Sequence, residues 1–193
     1  MSTKIKISFS FLLMLFTLII SHSYLSLAAL SAAFLHEMGH LCAARLCGIP
    51  LRELKLNIFG ASLTLDQALC SYKSEIFLAS AGPLVNIITV ATMIPFANVL
   101  SDPLLLFFIS SAFLGILNLL PITDFDGGRI FSCILLQILP AKTASAIYGY
   151  VSFFTVLCLW MTSVYLLLRL GISLSLFVFS TALFCKMFTP QNL

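Results

Sequence analysis

The chain is 193 residues long, 61% of its residues are hydrophobic and only 9% are charged. This composition excludes an ordinary soluble globular domain. Because the basic residues lie in loops between apolar runs, the net charge of +3 indicates membrane topology and not nucleic-acid binding. A spanning helix needs about 20 mostly apolar residues, and several such runs occur, so we expect one integral membrane domain.

Six apolar runs follow one another along the chain, separated by short polar breaks. They cover approximately residues 7–20, 25–47, 75–100, 104–120, 144–168 and 172–187. The first run follows Lys4 and Lys6 and resembles a secretory signal peptide with a small-residue cleavage site at residues 31–33. Cleavage there would destroy the second helix, so we interpret the first run as a retained span. The sequence therefore predicts an all-α polytopic membrane protein with about six transmembrane helices.

Lysines and arginines indicate the orientation of these spans. With the N-terminus in the cytoplasm, only Arg169 of the 10 basic residues would lie outside. The others lie on or near the cytoplasmic side: Lys4, Lys6, Arg45, Arg52, Lys55, Lys73, Arg129, Lys142 and Lys186. We expect both termini, and access to any site near Arg45, on the cytoplasmic side.

Two segments do not read as simple spans. Residues 54–65 alternate apolar and polar side chains around Phe59-Gly60, which predicts a short membrane-associated β-hairpin after the second helix. Its polar edge near Asn57 and Ser62 is a hypothetical place for an extended peptide to pair as an added strand. Residues 128–139 are apolar but too few to cross a bilayer, and they predict a half-buried helix.

The second run contains the motif His36-Glu37-Met38-Gly39-His40. On a helix its histidines lie ~6 Å apart along the axis and about 40° apart around it, so both rings can reach one metal ion. Glu37 is then placed to act on a water at that metal. Gly39 is expected to let a neighbouring backbone approach this helix. Each strongly polar group at mid-membrane costs roughly 2.5 to 3.5 kcal/mol, which favours a functional role.

Two histidines leave a hydrolytic zinc site one protein ligand short. His22 lies ~20 Å from His36 along any continuous helix and is interpreted as an interfacial residue. Asp124 and Asp126 remain, after the fourth run, where Pro121 ends regular helix. Unwound chain at that point could bring either carboxylate to a buried metal.

At these residues the chain resembles the site-2 proteases, zinc metalloproteases that cut peptide bonds within or beside membrane-spanning segments. Their signature pairs His-Glu-x-x-His with Asn-x-x-Pro-x-x-x-x-Asp-Gly, which residues 118–127 match without gaps, and Phe125 replaces a leucine that often precedes the aspartate. The resemblance implies that Asp126 is the third metal ligand beside His36 and His40. It also implies that Asn118 is a polar contact near the substrate or the developing oxyanion.

Residues 82–86 also resemble the family's Gly-Pro-x-x-Asn segment, and we interpret Gly82, Pro83 and Asn86 as packing and bending residues. The resemblance covers about residues 25–139, the expected catalytic core of a single peptidase domain over residues 1–193 without a CBS or PDZ domain. The compact layout looks most like the sporulation-factor IVFB-type branch, which processes a membrane-tethered pro-sigma factor.

The predicted function is an intramembrane zinc metalloendopeptidase with one Zn²⁺ per chain and Glu37 as the catalytic base. It would act in the bilayer, in a bacterial cytoplasmic membrane, on a membrane-embedded or membrane-tethered protein such as a pro-sigma or anti-sigma factor. Regulatory membrane proteins are further expected partners, and nucleic acid is not.

Two alternatives use the same residues. A metal transporter or sensor would bind metal without hydrolysis, but such a protein is expected to show internal repeats and ligands on several spans. A catalytically silent membrane scaffold would not need the intact Glu37. Metal stoichiometry together with the activity of a Glu37→Gln variant separates these alternatives from a peptidase.

Overall fold

The computed structural model describes residues 4–7, 23–49, 51–57, 60–65, 71–171 and 174–188. The predicted first span lies outside these residues except for Ile7, and His22 lies outside them too. The chain divides into two compact units, Met1–Leu119 and Leu120–Leu193, which are described in turn.

In its described residues, the first unit contains three α-helices that pack against one another. They are α1 (Tyr24–Leu46), α2 (Tyr72–Met93), which continues into the 3₁₀ helix Ile94–Val99, and α3 (Asp102–Asn118). Helix α2 begins after Ser71, whose Oγ accepts a hydrogen bond from the Ser74 N–H at 3.2 Å and so satisfies one unpaired donor of the first turn. Helix α1 ends just before Gly48, whose φ of 65° favours glycine.

Small residues allow α1 and α2 to lie very close together. A Cβ atom on Gly39 would lie 2.6 Å from the Ala81 carbonyl oxygen, so the two backbones meet at this point. This is the close approach that was expected at Gly39. Alanines complete the buried side of α1, namely Ala28, Ala32, Ala43 and Ala44. Small residues at helix contacts are typical of membrane proteins, where dispersion between closely packed helices stabilises the fold.

The same unit contains a three-stranded mixed sheet in the order β1-β2-β3. Its strands are β1 (Lys4–Ile7), β2 (Leu51–Asn57) and β3 (Gly60–Leu65). Strand β1 runs parallel to β2, and β2 runs antiparallel to β3. Because β2 is paired on both sides, its edge near Asn57 is not open to a peptide, and this part of the docking hypothesis is wrong.

The second unit contains α4 (Asp126–Ile138), α5 (Ala141–Leu170) and α6 (Leu174–Phe188). Helix α5 packs against both α4 and α6. Trp160 of α5 stacks on Phe184 of α6 with 5.5 Å between ring centroids, and its Nε1–H donates to Thr181 Oγ1 at 3.1 Å. Helix α5 ends at Gly171 in a left-handed conformation with φ of 62°.

The predicted fold class is wrong in its span count and its class. Of the six α-helices in the described residues, only three are long and apolar enough to cross a membrane. They are Tyr24–Leu46, Tyr72–Val99, which includes the 3₁₀ helix, and Ala141–Arg169. Helices Asp102–Asn118 and Leu174–Phe188 are apolar but shorter. At 1.5 Å per residue they reach only ~22 to 26 Å, less than the ~30 Å hydrocarbon core. An all-α chain with only a short β-hairpin is also incorrect, because a third strand, residues 4–7, pairs with the antiparallel pair to form a three-stranded sheet.

Candidate metal centre

Two histidine rings of α1 converge inside the first unit. His36 and His40 are each only 4% exposed, and their Nε2 atoms lie 3.2 Å apart. The rings meet edge to face, with centroids separated by 4.9 Å. The helical spacing of the motif therefore places both rings on one buried face, as the sequence predicts.

Helix α2 holds the other nitrogen of each ring. His40 Nδ1 lies 2.8 Å from the Leu78 carbonyl oxygen, to which only a protonated Nδ1 can donate. His36 Nδ1 lies 3.2 Å from the Nδ2 atom of Asn86. Both rings are therefore fixed in orientation through Nδ1, and both present Nε2 to the same point. For His40, whose second ring nitrogen donates to a carbonyl oxygen, this arrangement is typical of metal-binding histidines.

Gly82 leaves space beside the two Nε2 atoms. A Cβ atom at this position would lie 2.7 Å from His36 Nε2 and closer still to His40 Nε2. Gly82 lies between Leu78 and Asn86 on one row of α2, because positions four residues apart share a helix face. Any other residue would place its side chain where the two nitrogens converge.

The donor set fits a zinc ion. In a tetrahedral site with Zn–N bonds of about 2.0–2.1 Å, two nitrogen ligands lie about 3.3 Å apart, close to the 3.2 Å observed here. Neutral imidazole suits zinc, and the space that Gly82 leaves open adjoins both nitrogens.

The remaining predicted residues occupy three positions. Glu37 follows His36 on α1 and is half-buried. Asn118 is the last residue of α3, where its Nδ2 donates to the Leu114 carbonyl oxygen at 3.1 Å. Asp126 is the first residue of α4 in the second unit and is 8% exposed. The structure brings His36 and His40 together, whereas the roles of Glu37, Asn118 and Asp126 stay predictions.

Hydrogen bonds and one close contact fix the segment that leads to Asp126. The Thr123 N–H donates to Ser152 Oγ at 3.2 Å, and the two side-chain hydroxyls lie 3.1 Å apart. A Cβ atom on Gly128 would clash with the Ile122 carbonyl oxygen, so this glycine allows the segment to turn tightly onto α4.

Each of the two aspartates of this segment faces a basic side chain, but they differ in burial. Lys186 Nζ donates to Asp124 Oδ1 at 2.6 Å, on a part of the unit where both side chains are partly exposed. Arg129 Nη1 lies 3.7 Å from Asp126 Oδ1. Burial therefore separates the two: Asp126 is the buried carboxylate and Asp124 the exposed one.

Sequence reasoning missed the site contacts of Gly82 and Asn86, which were interpreted as packing and bending residues. Their spacing of four residues placed them on one helix face, and that spacing was the available signal. The contact of Asn86 joins positions 50 residues apart in the chain, and those of Gly82 join positions 42 and 46 residues apart, which periodicity cannot reveal.

Known proteins resemble this chain in sequence and in fold. The sequence profile described as Peptidase family M50 matches residues 24–102 and 92–160. The fold is similar to the solved structure of the Site-2 Protease from Methanocaldococcus jannaschii, with a TM-score of 0.68 and 22% sequence identity, over 97% of this chain and 90% of that chain. A comparison with proteins of curated function finds no significant match.

Proposed function

Because the chain belongs to Peptidase family M50 and is a membrane metalloprotease of the site-2 type, we propose that it is a zinc endopeptidase that cuts membrane-embedded or membrane-tethered proteins. The predicted family is confirmed, whereas the IVFB-type branch stays a prediction. Family membership favours a peptidase over the transporter alternative. The observation that carries the zinc assignment is the pair of Nε2 atoms 3.2 Å apart beside the space left by Gly82.

His36, His40 and Asp126 are the proposed ligands. Each is buried and offers one ligand atom, a ring nitrogen or a carboxylate oxygen. Asp126 is preferred to Asp124 for two reasons: it matches the family signature, and it is buried whereas Asp124 is exposed. A bound zinc ion would supply a Lewis acid that polarises the scissile carbonyl and makes water more acidic.

Glu37 is the proposed general base and acid. Its carboxylate takes a proton from the attacking water and later gives it to the nitrogen of the departing amine. Asn118 is proposed to contact the substrate carbonyl. Its Nδ2 carries two hydrogens, and only one is needed for the bond to the Leu114 carbonyl oxygen, so the second can be donated.

The proposed setting is a bacterial cytoplasmic membrane, with both termini and access to the site on the cytoplasmic side. The distribution of lysine and arginine supports this orientation, since only Arg169 of the 10 basic residues would lie outside. A pro-sigma or anti-sigma factor is the proposed substrate class, and regulatory membrane proteins are proposed partners.

The experiment compares membranes from cells that express the wild-type chain or the Glu37→Gln variant. New N-termini of membrane proteins are identified by mass spectrometry, and zinc is measured in each purified protein. Glu75→Gln is the matched control, because it makes the same change at a glutamate in the first turn of α2 that is not a proposed site residue. The expected result is fragments that are lost with Glu37→Gln and kept with Glu75→Gln, with about one zinc per chain in all three proteins. Fragments that persist in Glu37→Gln would refute the proposed function.

A further inference from the structure

Two placements of the ring hydrogens fit the atoms around the histidine pair. In both, His40 Nδ1–H donates to the Leu78 carbonyl, so His40 Nε2 carries a lone pair. In the first placement, His36 Nε2–H donates to that lone pair across 3.2 Å, and His36 Nδ1 accepts from Asn86. In the second placement, the hydrogen of His36 lies on Nδ1 and its Nε2 also carries a lone pair.

Only the second placement gives a metal two ligand nitrogens. A hydrogen on His36 Nδ1 then needs an acceptor, because an unpaired buried donor is costly. The Nδ2 atom of Asn86, which lies 3.2 Å from His36 Nδ1, is itself a donor and cannot serve. The other end of the same amide, Oδ1, is an acceptor.

Asn86 has an acceptor to offer. Its side chain is 0% exposed, and its Oδ1 makes no hydrogen bond. The two ends of an amide have nearly the same shape, so a half-turn about the Cβ–Cγ bond exchanges them without moving neighbouring atoms. Helix α3 keeps the side chain in place, because a Cβ atom on Gly115 would lie only 3.2 Å from the Asn86 Cβ.

We propose that Asn86 is a positioning residue whose carbonyl oxygen accepts a hydrogen bond from His36 Nδ1–H when the metal is bound. The bond keeps the lone pair on His36 Nε2 and fixes the plane of the ring. Metal binding and the orientation of the Asn86 amide are therefore coupled. The inference rests on the proposed function only in that His36 is a metal ligand, and it requires no peptide cleavage.

The test measures zinc affinity of the full-length chain in detergent by competition with a chelator. Asn86→Leu keeps the branched shape but cannot accept a hydrogen bond, and Asn86→Asp keeps the shape and accepts in either rotamer. We expect Asn86→Leu and Asn86→Ala to weaken zinc binding by roughly 10- to 100-fold, the usual cost of losing such a partner. Asn86→Asp should stay within about threefold of wild type, because the acceptor is retained.

Ser111→Ala is the matched control, because Ser111 is equally buried and its Oγ also makes no hydrogen bond. Its zinc affinity should equal that of wild type. The visible spectrum of the Co²⁺-loaded proteins adds a readout of ligand geometry: Asn86→Asp should match wild type, and Asn86→Leu should not. A purely structural role of Asn86 would not predict rescue by aspartate.

Wild-type zinc affinity in Asn86→Leu or Asn86→Ala would overturn the proposal. So would an Asn86→Asp variant that folds, by circular dichroism, yet loses affinity. If Asn86→Leu and Asn86→Ala do not fold, lost affinity in a folded Asn86→Asp variant still overturns the proposal, and the Co²⁺ spectrum of that variant must still match wild type. Cleavage is scored separately. If zinc binding depends on Asn86 but the chain has no peptidase activity, only the proposed function is refuted. If cleavage depends on Glu37 but the Asn86 variants keep wild-type zinc affinity, only this inference is refuted.

Discussion

Alanine at Gly82 would place a methyl group where the two ligand nitrogens converge. Its Cβ would lie 2.7 Å from His36 Nε2 and nearer still to His40 Nε2, whereas atoms in good contact are about 3.5 Å apart. The rings cannot easily retreat, because Leu78 holds His40 at 2.8 Å and the backbones of α1 and α2 already touch. Overpacking of this kind costs about 1–3 kcal/mol. If all of this cost opposes the metal-bound arrangement, zinc affinity falls by roughly 5- to 140-fold.

The assay is chelator competition for zinc, combined with thermal unfolding of the metal-free protein. Gly149→Ala is the matched control, since a Cβ atom at this helical glycine would meet nothing within 4 Å. Its zinc affinity should not change, and its stability should stay equal or rise by up to about 1 kcal/mol from helix propensity. Wild-type zinc affinity in a folded Gly82→Ala variant would show that the nitrogens do not bind metal at this point.

Three further substitutions have defined outcomes. Gly39→Ala should lower the stability of the metal-free protein by about 1–3 kcal/mol in thermal unfolding, because its methyl group meets a backbone oxygen of α2, and an unchanged Tm would contradict this packing. Asp126→Ala should weaken zinc binding by more than roughly 100-fold in chelator competition, whereas Asp124→Ala should change it little; equal losses would refute the ligand assignment. Ser152→Ala should cost about 0.5–1.5 kcal/mol in denaturant unfolding, because it removes the hydrogen bonds of the Ser152 hydroxyl to Thr123, and an unchanged stability would show that water replaces the hydroxyl.

The convergence of His36 and His40 was predictable because it is local: four residues on a helix determine it. The contacts of Asn86 and Leu78 with those rings were not, because they depend on how α2 packs against α1. Sequence similarity pointed to the segment around Gly82 but not to its task. The role of Gly82 follows only from the structure, in which the absence of a side chain leaves space for the Nε2 atoms of His36 and His40 on α1.

The span count and the sheet show a different limit of sequence reasoning. Apolar runs were counted as spans even where their length gives a helix shorter than the bilayer core, as in α3 and α6. Residues 4–7 alternate lysine and isoleucine with the period of a strand. Because they precede an apolar run, they were interpreted as the charged residues before a transmembrane span. Their parallel pairing with β2 joins residues about 50 positions apart in the chain, and no local pattern predicts such pairing.

The row formed by Leu78, Gly82 and Asn86 on α2 makes the site sensitive to helix register. If α2 slid along α1 by one turn, about 5.4 Å, the side chain of Leu78 or Asn86 would replace the gap at Gly82 and lie against the two nitrogens. The same step would also move Asn86, the side-chain partner of His36, away from that ring. The contacts of the two rings therefore form at only one alignment of α1 and α2. A force or a bound protein that shifts one helix by a turn would prevent metal binding without contacting a ligand residue.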